Sequence, residues 1–187
     1  MKRRDFIAAV GAGAATTTLA APAIAQDVRN WRMVSAWPRN LPGPGIAAQM
    51  LADRITALSG GRIVVELFGA NEIVPGPGVF DAVAEGTAEL YHAVPAYWGS
   101  KSKGILLFGS QPLGLGPIEQ LGWLMHGGGQ ALYDEMYGRF GLKPFLCGNS
   151  GPQWAGWFRN EIHTVDDLRG LKYRTTGLNS EVCAKLG

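Results

Sequence analysis

Apolar and polar positions follow two periods along this chain, and the changes of period mark its elements. Trp31 to Trp37 (Trp-Arg-Met-Val-Ser-Ala-Trp) is largely apolar and β-prone, which predicts a first strand. Ile46, Met50, Leu51, Ile55 and Leu58 recur at helical spacing, which predicts a helix from Ile46 to Leu58, stopped by Gly60-Gly61. Ile63, Val65 and Leu67 alternate, so Arg62 to Phe68 reads as a second strand. A proline-bearing loop then leads to a short helix over Val79 to Glu85, ended by Gly86, and to a third strand over Glu89 to Val94. Pro95 to Gly104 is polar and aromatic, and Ile105 to Leu115 is apolar but broken by Gly and Pro, so it reads as irregular. Helical patterns cover Ile118 to Met125 and Gln130 to Phe140, and Lys143 to Cys147 reads as a fourth strand. In Thr164-Val165-Asp166-Asp167 the threonine and the acid three residues later form a capping-box signature for a short helix, which Gly170 ends. Leu171 to Arg174 then reads as a strand, and Ser180 to Leu186 begins a last helix.

Strands alternating with helices imply an α/β sheet. In such sheets ligands bind at the carboxyl ends of the strands. That rule singles out Arg174, which this reading puts at the tip of a strand, where its planar fork of donors matches a carboxylate. Gln153, in a loop-to-strand passage upstream, has an amide that both donates and accepts. Trp37 and Tyr97 fall at or just beyond strand ends and are candidates to line a cleft; Ser35 and Asn149 are weaker candidates.

Composition bounds this picture. The chain is 47% hydrophobic and 17% charged, which is the balance of a globular protein. Residues 1–25 read as an export leader: Arg3-Arg4 as a twin-arginine start, an alanine-rich apolar stretch, and Ala23-Ile24-Ala25 as a small-x-small cleavage site. Lys2, Arg3, Arg4 and Asp5 carry the whole net charge of +2, so the remainder is neutral, without the basic, aromatic-interleaved runs that read nucleic acid. Two cysteines, Cys147 and Cys183, are too few for a disulfide framework and read as buried thiols. His92, His126 and His163 have no mutual metal spacing, Glu72 and Glu89 look isolated, and no nucleophile–base pair is visible. No catalytic residue is therefore assigned, and the chain does not read as an enzyme.

Two stretches imitate enzyme motifs. Gly43-Pro44-Gly45-Ile46-Ala47-Ala48 formally matches a dinucleotide fingerprint, which makes a nucleotide-dependent oxidoreductase exported by the twin-arginine route the competing function. The strand before it ends too early, however, and two prolines stiffen a turn that should offer free N–H groups to a pyrophosphate. His126-Gly127-Gly128-Gly129 imitates an oxyanion loop, but the sequence has no G-x-S-x-G nucleophile elbow.

A resemblance adds to this. Gly148 to Arg159 (GNSGPQWAGWFR) and Thr164 to Arg174 (TVDDLRGLKYR), with His126-Gly127-Gly128-Gly129 and Phe68 to Gly76 (FGANEIVPG), resemble the DctP-type periplasmic solute-binding proteins of tripartite ATP-independent periplasmic (TRAP) transporters. The branch that binds 2-oxo acids and related monocarboxylates is the nearest. The resemblance implies a two-lobed fold of the type II periplasmic-binding-protein kind, here cut to most of the first lobe and the start of the second. Residues 26–149 would belong to the first lobe and 150–187 open the second, so the chain reads as an amino-terminal fragment. Arg174 would clamp the carboxylate of a small 2-oxo or 2-hydroxy acid such as pyruvate or lactate, with Trp37, Tyr97 and Asn149 around it. Gln153 would lie beside Arg174 and help to hold a cation, sodium or calcium, as the one metal-binding residue; no other cofactor is expected. The implied setting is the periplasm, the implied partners are the membrane permease subunits, and a homodimer is compatible with the full-length form.

Overall fold

The computed structural model describes residues 27–109, 111–151, 153 and 155–186. The leader assigned to residues 1–25 lies outside them.

Three strands form one parallel sheet in the order β2-β1-β3: β1 (Arg29–Ser35), β2 (Ile63–Phe68) and β3 (Leu90–His92). β1 pairs with β2 from Arg29↔Ile63 to Val34↔Phe68, and with β3 from Met33↔Leu90 to Ser35↔His92. Helix α1 (Pro44–Leu58) carries the chain from β1 to β2, and α2 (Val79–Ala84) carries it toward β3. These are the crossover connections that parallel pairing requires. Beyond β3 come two 3₁₀ segments, Pro95–Trp98 and Lys103–Phe108, then α3 (Pro117–His126), α4 (Gly129–Gly138), a 3₁₀ turn at Val165–Leu168, and α5 (Leu178–Leu186).

Successive β1 side chains serve opposite faces. Met33 joins Ala48, Ala52, Val65 and Leu67 in the layer under α1. Val34 joins Val79, Phe80, Trp98, Ile105, Phe108, Tyr133 and Tyr137 in the larger core on the other face. The second core is mainly aromatic, with Phe80 meeting Tyr91, Trp98, Tyr137 and Phe140 at centroid distances of 5.1 to 6.0 Å.

The packing face of α1 differs from the one that periodicity suggested. Ile46, Met50 and Leu58 are exposed, and the helix buries Gly45, Ala48 and Ala52, with Leu51 and Ile55 partly covered. Small residues let the helix lie close to the sheet. At Gly45 a Cβ would stand 2.3 Å from the Pro38 carbonyl oxygen, so the residue must be glycine. The apparently isolated acids are paired: Glu89 accepts from the backbone N–H of Arg32 and from its guanidinium (3.0 Å), and Glu72 receives the Arg39 fork. These arginines hold both carboxyl groups below the usual range.

Two expected strands do not form. Lys143 to Cys147 has no ladder: Pro144 cannot donate to one, and its carbonyl instead accepts from Gln130 Nε2 at 2.9 Å. Leu171 to Arg174 also pairs with no strand; Tyr173 stacks on Phe158 (5.7 Å) and its hydroxyl donates to the Ala155 carbonyl. The capping box does form, but on a 3₁₀ turn. The Asp167 carboxylate accepts from the backbone N–H groups of Thr164 (2.8 Å) and His163 (3.0 Å), which keep its pKa low. Both cysteines are free thiols, and Cys147 is exposed rather than buried.

Candidate functional site

The carboxyl ends of β1 and β3 lie side by side, and their next residues build one edge of the sheet. Ser35 and His92 end the two strands, 1% and 7% exposed. The Ala36 N–H donates to the His92 carbonyl (3.0 Å), the Trp37 N–H to Ser35 Oγ (3.2 Å), and the Ala70 N–H to the Trp37 carbonyl (3.0 Å). Trp37 is half-buried, and its ring meets the His92 imidazole edge-on at 5.2 Å. Tyr97 follows on the 3₁₀ turn after β3, partly exposed and edge-on to Trp98 at 6.0 Å. Trp98 is buried, with its indole N–H donating to the Pro77 carbonyl. Trp37 and Tyr97 therefore stand where sequence reasoning put them along the chain, just beyond the carboxyl ends of β1 and β3.

The rim of that edge is fixed by an ion pair. Arg39, after β1, donates from Nε to both carboxylate oxygens of Glu72, at 2.7 and 2.9 Å, and its guanidinium lies over the Phe68 ring. Gly69 lies against both: a Cβ there would stand 3.0 Å from Arg39 N and from Glu72 Oε1. Sequence reasoning missed His92 and the Arg39–Glu72 pair. His92 was noted only as a histidine without metal spacing, inside a strand expected over Glu89 to Val94, and the pair joins loops far apart in sequence.

Asn149 is linked to the amino-terminal body through Gln120 of α3, whose Oε1 accepts from Asn149 Nδ2 at 3.5 Å, a long contact. Gln153 is exposed and donates from Nε2 to Ser150 Oγ at 3.0 Å, which leaves its carbonyl oxygen, a ligand type that sodium and calcium accept. A single neutral oxygen is not a metal site, and the described residues contain no group of three His, Cys, Asp or Glu that could hold one. Arg174 is exposed on a segment without secondary structure. Among the described residues no carboxylate pairs with it, whereas Arg32, Arg39, Arg139 and Arg169 each have an acid partner. The structure thus brings Trp37 and Tyr97 to one edge but does not enclose Arg174 and Gln153 with them. Two shallow hollows lie elsewhere, one lined by Asp27, Arg29 and Arg62, the other by Leu107, Leu132 and Met136.

The glycine motifs serve packing. At the start of α1 the N–H groups of Gly45 and Ile46 donate to the Leu41 carbonyl and that of Ala47 to Gly43, so they are not available to a pyrophosphate. In the triple glycine, a Cβ on Gly129 would stand 2.7 Å from the Trp123 ring.

A parallel sheet with helices on both faces is an open α/β architecture, which by itself does not name a function. Residues 34–187 match the family model described as bacterial extracellular solute-binding protein, family 7, or DctP. A monocarboxylate 2-oxoacid-binding periplasmic protein of Nostoc sp. (strain PCC 7120) is 38% identical over all of this chain and 53% of its own length. A TRAP periplasmic solute-binding protein from Colwellia psychrerythraea, solved with calcium and pyruvate, superposes with a TM-score of 0.83 at 35% identity, over 86% of this chain and 49% of its own. The corresponding protein from Pseudoalteromonas atlantica, solved with sodium and pyruvate, gives 0.82 at 38% identity, over 86% and 49%. The chain belongs to the DctP family of extracellular solute-binding proteins, a transport family rather than a family of enzymes. It spans about half the length of these relatives.

Proposed function

We propose that this chain supplies the first lobe and the opening of the second in the periplasmic substrate-binding subunit of a TRAP transporter. The subunit captures a small carboxylate, a 2-oxo or 2-hydroxy acid such as pyruvate or lactate, and delivers it to the membrane permease subunits. The supporting observation is Arg174, an exposed guanidinium without a described acid partner, in a chain whose relatives are described as binding 2-oxo acids. Its two parallel N–H groups suit the two oxygens of a carboxylate. Gln153 would orient the other end of the ligand or contribute one oxygen to a sodium or calcium ion held mostly by groups not found together among the described residues. Trp37 and Tyr97 would form the wall contributed by the first lobe, with Asn149 at the passage between lobes. Closure of the two lobes would bring the wall and the clamp together.

The test is calorimetric titration of pyruvate and lactate into the longest polypeptide that the gene encodes, with and without Arg174→Ala. Loss of a bidentate charged contact should weaken binding about 100-fold, equivalent to about 2.7 kcal/mol. An Arg174→Ala protein with wild-type affinity would remove the clamp.

A further inference from the structure

Arg174 and Gln153 stand on two separate passages of chain, and one side chain ties those passages together. Tyr173, half-buried and adjacent to Arg174, donates from its hydroxyl to the carbonyl of Ala155, which follows Gln153 by two residues. Its ring stacks on Phe158, with centroids 5.7 Å and planes 26° apart. Gly156 lies against both rings: a Cβ there would stand 2.9 Å from Tyr173 Cε2 and 3.2 Å from Phe158 Cζ, so glycine makes room for the stack. Little else is described that holds these passages. No backbone-to-backbone hydrogen bond is described between Lys143 and His163, nor between Lys172 and Thr176, and the described bond of the Gln153 side chain goes to Ser150 in the same loop. Adjacent Cα atoms are about 3.8 Å apart and two residues span at most about 7 Å, so the contact of Tyr173 with Ala155 limits how far the Arg174 and Gln153 backbones can separate. A phenyl ring would stack on Phe158 as well, but only the phenol can donate to the carbonyl.

We propose that Tyr173 is a positioning residue: by tying its own segment to Ala155 it holds the Arg174 guanidinium in a fixed place relative to Gln153, so that one small carboxylate can meet both. The inference rests on the carboxylate-binding function proposed above. Tyr173 acts through Arg174 and not on the ligand. An arginine fork makes two parallel bonds only when both N–H groups line up with both oxygens, so the placing of its backbone decides how much of the clamp is realised. In a passage without ladder bonds, ordering that backbone would otherwise be charged to each binding event. The hydroxyl bond and the stack order it beforehand.

The test titrates pyruvate calorimetrically into the longest polypeptide that the gene encodes, as wild type, Tyr173→Phe and Gly156→Ala, and each again with Arg174→Ala. Tyr173→Phe keeps the stack and loses the donor, and should weaken binding about fivefold, the equilibrium equivalent of one ordinary hydrogen bond. Gly156→Ala, whose methyl would press on the Tyr173 ring, should weaken it at least as much. With Arg174→Ala present, neither change should weaken binding further, because the residue through which both act is gone. Wild-type affinity in Tyr173→Phe overturns the proposal. So does an equal loss on the Arg174→Ala background, which is what a merely structural role would give. A second readout needs no ligand: trypsin cleavage after Lys172 and Arg174, both exposed and located by mass spectrometry, should be about fivefold faster in Tyr173→Phe, because the tie opens more often. Equal cleavage rates overturn the tie. Should Gly156→Ala not fold, Tyr173→Phe decides alone. A wild type that binds no pyruvate would sink the carboxylate function, while the cleavage comparison would still decide whether Tyr173 ties the two passages.

Discussion

Residues 27–142 and residues 143–186 have similar sequence patterns and different degrees of order. The first region has three paired strands and two cores, with Phe80, Ile105 and Val79 at 0 to 1% exposure. In the second, no backbone-to-backbone hydrogen bond is described between Lys143 and His163, and Trp157 and Phe145 are 99% and 69% exposed. Both regions contain β-prone runs, but a strand exists only where another strand edge meets it. The first region provides its own edges, and the second finds none among the described residues. The charged and amide groups that best fit a ligand, Arg174 and Gln153, lie in the second region, and the aromatic wall, Trp37 and Tyr97, lies in the first. Order and the side chains that best fit a carboxylate are thus on different sides of the boundary at residue 142.

The sharpest way to break this comparison is to remove one aromatic ring from each region. Phe80 is 1% exposed and meets four other rings, so Phe80→Ala should cost about 3–5 kcal/mol in urea unfolding. Phe158 is 37% exposed and its one described ring contact is Tyr173, so Phe158→Ala should cost less than about 1 kcal/mol. Equal losses would mean that the second region is as well packed as the first.

A smaller effect distinguishes two glycines within the ordered region. A Cβ on Gly45 would meet the carbonyl oxygens of Pro38 at 2.3 Å and Arg39 at 2.7 Å, whereas a Cβ on Gly122 of α3 meets nothing within 4 Å. Gly45→Ala should therefore destabilise by about 1–3 kcal/mol. Gly122→Ala should be neutral or stabilise by up to about 1 kcal/mol, the gain of alanine over glycine in a helix. A thermal melt of each variant checks both, and a harmless Gly45→Ala would show that the loop after β1 can move away from the sheet edge.

The same contrast explains how much could be read from sequence. β1, β2, β3 and the helices of the first region were legible, because their periodic runs coincide with local partners, as in the alternation of Ile63, Val65 and Leu67. The packing face of α1 was not, because hydrophobicity favours Ile46, Met50 and Leu58 while the close approach to the sheet selects Ala48 and Ala52. Lys143–Cys147 and Leu171–Arg174 have strand composition but no partner, and pairing is not a property of a segment alone. In the candidate site, Trp37 and Tyr97 were legible from their places after strand ends. Arg174 and Gln153 drew notice through chemistry and family resemblance, and the strand at whose tip Arg174 was expected does not form. The Arg39–Glu72 pair and the buried His92 depend on juxtapositions that the sheet creates and that no local pattern announces.

The smallest expected effect concerns acid. His92 of the first region is buried and its pKa is lowered by that burial. With the folded pKa below the unfolded one, the unfolded chain takes up the proton first as pH falls through about 6.5, the ordinary imidazole value. Between the two pKa values the unfolded state binds more protons, so stability falls with acidification and levels off below the folded pKa. Glu72 and Glu89 add a separate loss at lower pH, because their folded pKa values are also depressed, by Arg39 and Arg32, and their stabilisation disappears as they protonate below about 4.3. A series of melts from pH 7.5 to pH 5, run at steps of about half a unit to resolve the imidazole range, should show a shallow decline in Tm that His92→Phe removes. A decline that His92→Phe leaves in place would contradict the burial of His92 in the first region on which this prediction rests.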